Sequence, residues 1–496
     1  MALNPLHAHL GRGNWPPQSV ANRWYQASVH HELVENDYAS IYQQAQVDGL
    51  APRNMRERHI MLPVAQMITQ VSATLVCGGP ISIKAADSND QQRMDEIIRG
   101  NKLSSKTVSA AQEMSAIGGV YARVFINDTT PLGRRIPRIE LVSEQKAIPS
   151  FSGDELVAVT FISEHHTEKR VMRLHESYEL GGISYSVTLG TATEQGANVP
   201  VGDWAQVDSA WPYAEARELA LRVDLVPDTL LAVYIPNGST STGALGKSDL
   251  DGIEQLLMSI NAAFTTSLDS FQASAPVLAV DETLLDGQGQ LPAGVKVMPS
   301  RLSMAGEGGA PMEIFQGSFA SKDHVDYLDH LLDTCLTMSG ISPASLGRGL
   351  SGSVSGTALR LRMYQSLAQA ATKREALAEG LSELLRAAAL LDTQAYGMKP
   401  AAQWADAAGL PTVELTDGLP VDQLEQAQIA STLLTAGIAS QEAAIKIAQP
   451  GLSEEQAQAE LESIQAGQAS AISGAVSSAV AGVQPLTLDQ LTPPAN

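Results

Sequence analysis

Ser339-Gly-Ile-Ser-Pro-Ala-Ser-Leu-Gly-Arg-Gly-Leu-Ser-Gly-Ser-Val-Ser-Gly-Thr-Ala-Leu-Arg360 is the stretch on which the reading of this chain turns. Within it, the loop 347–356 holds the glycines Gly347, Gly349, Gly352 and Gly356, the serines Ser351, Ser353 and Ser355, and a single base, Arg348. Glycine visits backbone conformations closed to other residues, so 347–356 predicts an adaptable loop. Helix-forming sequence flanks it. Upstream, 322–339 carries Asp323, Asp326, Asp329 and Asp333 within an arc of about 120° at helical pitch. Val325, Leu328, Leu331, Leu332, Cys335 and Leu336 fall opposite. Downstream, Thr357–Tyr396 is the longest helical run of the chain, with one interior glycine, Gly380, and no proline. It predicts a single long helix, with Gly380 as the place for a bend.

Further out, Ser248 sits where it would cap a helix reaching Ser274, with Asp249 and Asp251 in the first turn, where the helix dipole favours acids. Ile253, Leu256, Leu257, Ile260 and Phe264 form its apolar stripe. Between the two helices, 275–320 is punctuated by Gly and Pro and reads as compact β, including Pro276–Val280 and Val295–Met298. Residues 120–235 hold short runs of β-branched and aromatic residues with connections too short for parallel crossovers. Within them, Tyr178-Glu-Leu-Gly-Gly-Ile-Ser-Tyr185 reads as a hairpin turning at Gly181-Gly182. The N-terminal part reads as helical: polar with an aromatic start over 1–58, apolar over His59–Val76, then Asp90–Ile117, closed by Gly118-Gly119. An extended stretch, Val413–Leu415, precedes short acidic helices over 421–466. Residues after Gly467 are Ala/Ser/Gly/Gln-rich and then Pro-rich, a composition expected to be weakly ordered. The expected fold class is α+β.

Composition narrows the function. The chain has 496 residues, 44% of them hydrophobic, which supports a globular core. Asp+Glu is 54 against Lys+Arg 32, a formal charge of -22. That excludes gripping a nucleic-acid backbone through bulk charge, which needs net Lys/Arg. Cys77 and Cys335 are the only cysteines, so no disulfide scaffold is expected and a reducing compartment fits. The N-terminus lacks a basic-then-apolar signal peptide. No apolar run approaches the ~20 residues of a membrane helix.

The catalytic motifs all fall short. Gly243-Ala-Leu-Gly-Lys-Ser248 resembles a phosphate loop around Lys247, but Ser241 stands where a Walker A loop needs its first glycine. Gly352-Ser-Val-Ser-Gly356 has Val354 where a nucleophile elbow needs serine. His30-His31 and His165-His166 are adjacent pairs whose side chains point apart, unlike ligands spaced i,i+4. Arg348, Arg360, Arg362, Lys373 and Arg374 spread over too many turns to make a strong nucleic-acid patch, and read as a solvated face. No catalytic residue, metal or cofactor is expected.

The serial order is distinctive: a helix after Gly-Lys-Ser248, a compact β insertion, a second helix, Ser339-Gly-Ile-Ser-Pro343, a Gly/Ser loop ending Ser355-Gly-Thr-Ala-Leu359, then a very long helix. In this the chain resembles the portal proteins of tailed bacteriophages, the broad class that includes the SPP1-like portals. The resemblance covers roughly 20–465 and is strongest over 237–396. It implies a homo-oligomeric ring, typically a dodecamer in the virion, at one capsid vertex. Double-stranded DNA would enter during packaging and leave during ejection through its central channel. A mixed α/β wing would span 1–247 and return over 357–420, with stem helices at 248–274 and 322–340. Between the stem helices lies a clip (275–321), which includes Gly287, Gln288, Gly289 and Gln290. A tunnel loop (341–356) includes Gly347, Arg348, Gly349, Gly352, Ser353, Ser355 and Gly356, and a crown (421–466) precedes the tail (467–496). The implied partners are the large terminase subunit and a head–tail adaptor at the clip, the major capsid protein and a scaffolding protein, in the virion and, during assembly, the host bacterial cytoplasm.

The residues suit a passage. Asp323, Asp326, Asp329 and Asp333 would line the channel and repel phosphates, screened within about 8–10 Å at physiological salt. Arg348 would make only transient phosphate contacts. The alternatives are another capsid or tail-ring component that binds protein only, or a nucleotide-binding enzyme using Lys247.

Overall fold

The computed structural model of the chain describes residues 14–37, 60–85, 90–126, 135–166, 170–200, 222–224, 226, 228–238, 243–274, 277–280, 301–304, 312–315, 321–349, 356–396, 410–417, 423–449 and 456–467. The chain divides into two compact units, 1–418 and 419–496.

The first unit opens with α1 (Gln18–Val34) and α2 (Val64–Cys77), followed by β1 (Ser82–Lys84), α3 (Gln91–Asn101) and α4 (Leu103–Ile117). α2 lies between Pro63 and Gly78 and buries Val64, Ala65, Ile68, Leu75 and Val76. α4 stops at Gly118, whose φ is +101°. A Cβ there would stand 2.5 Å from Arg23 Nη2 and 2.8 Å from the Gly246 carbonyl, so side chain and backbone conformation both demand glycine. The chain then enters β2 (Gly119–Phe125) and β3 (Arg138–Ser143).

An antiparallel meander follows: β4 (Ala147–Ser152), β5 (Glu155–His166), β6 (Val171–Glu179), β7 (Gly182–Gly190) and β8 (Ala197–Val199), with β9 (Arg222–Asp224) also paired to β7. Glu179 pairs with Gly182, so the β6–β7 turn is Leu180-Gly181, one residue earlier than the sequence suggested; Gly181 carries the positive φ. β10 (Ala232–Pro236) and β3 flank β2 in a second, antiparallel sheet. β2 is buried along nearly its whole length, on both faces.

The helix expected from Ser248 begins only at Glu254. Ser248 Oγ donates to the Ala116 carbonyl (2.6 Å) and accepts from Leu250 N–H (3.0 Å), so it caps a short turn rather than the helix. α5 (Glu254–Ala273) leads into β11 (Val277–Val280), β12 (Arg301–Met304) and β13 (Met312–Phe315), and α6 (Ser321–Met338) returns. β11 is the middle strand, parallel to β12 and antiparallel to β13. Val29 and Leu33 of α1, Val64 and Ile68 of α2, Ile253, Leu257 and Ile260, and Cys335 and Leu336 of α6 share one core.

The long run after the loop is broken, but not at Gly380. α7 (Gly356–Arg362) and α8 (Tyr364–Tyr396) meet at Met363, which is not helical. α8 runs unbroken through Gly380, where an added Cβ would lie 2.6 Å from Ile235 Cγ1. The glycine there admits β10, and Leu377, Leu381, Leu384, Leu385 and Leu391 complete the buried stripe. β14 (Thr412–Glu414) then pairs antiparallel with β1.

In the second unit, α9 (Gln423–Thr435) and α10 (Gln441–Ala448) form a hairpin turning at Gly437. Ser440 caps α10 by accepting from Ala443 N–H. Residues 456–467 are helical. Val295–Met298, Gly287, Gln288, Gly289, Gln290, Gly352, Ser353, Val354 and Ser355 lie outside the described residues. Among the described residues no helix is long and apolar enough to cross a membrane.

Candidate functional site

α6 carries the acidic stripe on the side away from its core contacts. Asp323 and Asp326 are exposed, and the side chains of Asp329 and Asp333 are 55% and 47% exposed. Leu331, Leu332, Cys335 and Leu336 pack inward. Val325 and Tyr327 are exposed, so the inward face is narrower than the sequence pattern implied. α6 ends in a Schellman arrangement. Gly340 takes φ +80°, Ile341 N–H donates to the Leu336 carbonyl, and Gly340 N–H donates to that of Thr337. Ile341 and Leu336 belong to one apolar cluster, the contact that usually accompanies this motif.

That stop reverses the chain. Residues Pro343–Leu346 make one tight turn, closed by Gly347 at φ +72°. Arg348 then reaches back to the helix the chain has just left. Its Nη2 donates to Asp329 Oδ1 (2.7 Å) and its Nε to Asp333 Oδ1 (2.8 Å). Asp329 and Asp333 are i,i+4 neighbours on one helix face, the spacing a guanidinium fork can bridge. The two hydrogen bonds raise the Arg348 pKa above its ordinary value. The other side of the loop is held as well: Ser342 Oγ donates to the Arg362 carbonyl (2.7 Å), and Arg362 Nη1 donates to that of Gly349 (3.2 Å). Arg348, expected from the sequence to make only transient phosphate contacts, is engaged by the acidic stripe itself.

The remaining bases do not form a patch. Lys373 is 5% exposed and pairs with Asp249 and Ser72. Arg374 donates to the Leu75 and Val76 carbonyls, capping the end of α2. The phosphate-loop reading of 243–248 loses its donors to the chain itself: Gly246 N–H donates to the Tyr234 hydroxyl, and Lys247 is exposed. His30 and His31 point apart, to Glu254 and Glu113 respectively.

Sequence reasoning missed the polar network at the foot of α5. Asp249 accepts from Lys373, Ser115 and Asn237. Arg23 forks onto Glu144, which also accepts from Tyr234. Three of these pairs, Lys373–Asp249, Ser115–Asp249 and Arg23–Glu144, join residues more than a hundred positions apart and leave no local pattern. One signal was available: Ala370, Lys373, Leu377 and Leu381 follow helical spacing, which puts Lys373 on a buried stripe.

Residues 19–473 match the family described as Phage portal protein, SPP1 Gp6-like. The chain belongs to that family. This phage portal protein is therefore structural rather than enzymatic. A chain of the solved structure "Neck of native GTA particle computed with C12 symmetry" is similar to the portal protein at 13% identity. The similarity covers 79% of this chain and 90% of that one, with a TM-score of 0.40. None of the curated proteins compared with the portal protein matches it.

Proposed function

We propose that the portal protein works as one subunit of a closed ring, twelve in the virion, whose bore carries double-stranded DNA past the acidic face of α6. In this reading α5 and α6 are the stem, 275–321 the clip, 341–356 the tunnel loop, 421–466 the crown, and the rest of the first unit the wing. The large terminase subunit and then a head–tail adaptor would dock at the clip, through Gly287–Gln290, and capsid and scaffolding proteins would meet the ring's outside.

The observation that carries this reading is the Arg348 fork. DNA binds a protein tightly when phosphates displace their counterions onto Lys or Arg. Here the loop's base is already neutralised by Asp329 and Asp333, so a phosphate must compete with two carboxylates for it. The four stripe carboxylates also outnumber that one guanidinium. Such a surface holds a duplex at a distance and gives it no deep well in which to stop.

The test uses Asp323→Lys together with Asp326→Lys, which leaves the Arg348 fork intact. Rings of this variant should retain DNA, and packaging or ejection should slow, most at low salt. Packaging at the original rate at low salt would remove the channel role from this face.

A further inference from the structure

His30, Asp251 and Glu254 meet where α1 passes the foot of α5. His30 is 2% exposed, and its Nε2 lies 3.2 Å from Glu254 Oε1 and 3.7 Å from Asp251 Oδ1. All three donor atoms fall within 4.8 Å of one another. Two ligands about 2.1 Å from a metal at a tetrahedral angle stand about 3.4 Å apart, and the two distances bracket that edge. The side chains of Asp251 and Glu254 are 28% and 26% exposed, so the carboxylate side of the cluster opens to solvent. A water can therefore complete four-coordination there.

We propose that His30, Asp251 and Glu254 form a site for one divalent transition-metal ion of the zinc class. One imidazole nitrogen with two carboxylate oxygens is a mixed donor set that suits zinc better than magnesium or calcium, which take oxygen ligands. The Asp251 carboxylate is partly set in place from within the chain. Asp251 Oδ2 accepts Ser248 N–H at 3.2 Å, leaving Oδ1 for the ion. The site joins residues 221 and 224 positions apart in sequence, so the ion would pin α1 to the lead into α5. On the portal reading, that is the joint between wing and stem.

The test is equilibrium dialysis of the tag-free, full-length chain against Zn²⁺ alone, with Mg²⁺ and Ca²⁺ as counter-probes. One zinc per chain should bind, and Co²⁺ should give the visible absorption of a four-coordinate ion. Glu254→Gln keeps a hydrogen-bond partner for His30 but is a poor ligand. It should weaken zinc at least ~100-fold, beyond the 10–100-fold that merely orienting neighbours give. His30→Gln should abolish the site, and a chelator should lower the melting point of the unaltered chain but not of Glu254→Gln. Absence of stoichiometric zinc, or zinc retained at full affinity by Glu254→Gln, would overturn the proposal. The result is independent of ring formation and DNA passage, because binding is read directly.

Discussion

Lys373 and Asp249 show what a single buried charge demands of its surroundings. Both side chains are 6% exposed or less and face each other across α8 and the turn before α5. Removing one partner strands the other in a poorly solvated place, which typically costs about 3–5 kcal/mol. Lys373→Met should therefore lower stability by about that amount, whereas Lys373→Met with Asp249→Asn should recover much of the loss; denaturant melts of the three proteins measure it. A second pair titrates. The hydrogen bond that His31 donates to the Glu113 carboxylate raises the His31 pKa above the usual imidazole value, although burial opposes it. A raised pKa in the folded chain means the contribution is complete below about pH 6.5 and fades as pH rises through the folded value. The melting-point gap between the unaltered chain and His31→Gln should accordingly be widest below about pH 6.5 and narrow as the pH rises above it. At this scale the sequence was legible in residue type and mute about partners. The acid stripe and Arg348 were both visible, but their fork depends on a chain reversal set by Gly340 and Gly347. Ser248 misled because its hydroxyl is drawn to the Ala116 carbonyl of a distant helix end.

Periodicity carried the elements further. α2, α5, α6 and α8 all have apolar residues at helical spacing, and the structure places helices there. Spacing did not locate the interruption at Met363, since that residue is as good a helix former as its neighbours. The α7–α8 break is instead where Ser342 Oγ and Ser366 Oγ tie the loop to the helix, through the Arg362 carbonyl and Ser342 N–H. Gly380 was read as a weak point and is a packing device. Helix propensity alone favours Gly380→Ala by about 1 kcal/mol. The close approach of Ile235 reverses that, because overpacking a filled core costs typically about 1–3 kcal/mol. Gly380→Ala should lower the melting point, and adding Ile235→Ala should cost less than the sum of the two single changes. Additive effects would mean that α8 does not bear on β10 at this glycine.

Over the whole molecule, the chain separates after Gly418. The two units have their own internal contacts, so a chain ended at Gly418 should keep the circular dichroism and cooperative melt of the first unit. Loss of that melt would mean that residues 419–496 are needed for its folding. The family was legible from the order of elements, whereas the portal assembly itself is a property of many copies. Its direct measure is native mass, expected near a dozen chains. The small sheet between α5 and α6 has a further consequence. Val277 pairs with Phe315 and Val280 with Met312, so the strand that leaves α5 and the strand that leads to α6 run side by side. Within the segment between them, Arg301–Met304 returns to the same sheet on the other edge of β11. Evolution can therefore lengthen or shorten the connections on either side of β12 without re-registering either helix, and an engineer can graft foreign segments there. If this segment is the clip, as proposed above, a virus that acquired a new motor or tail would have to rewrite chiefly these connections, leaving both helices in place.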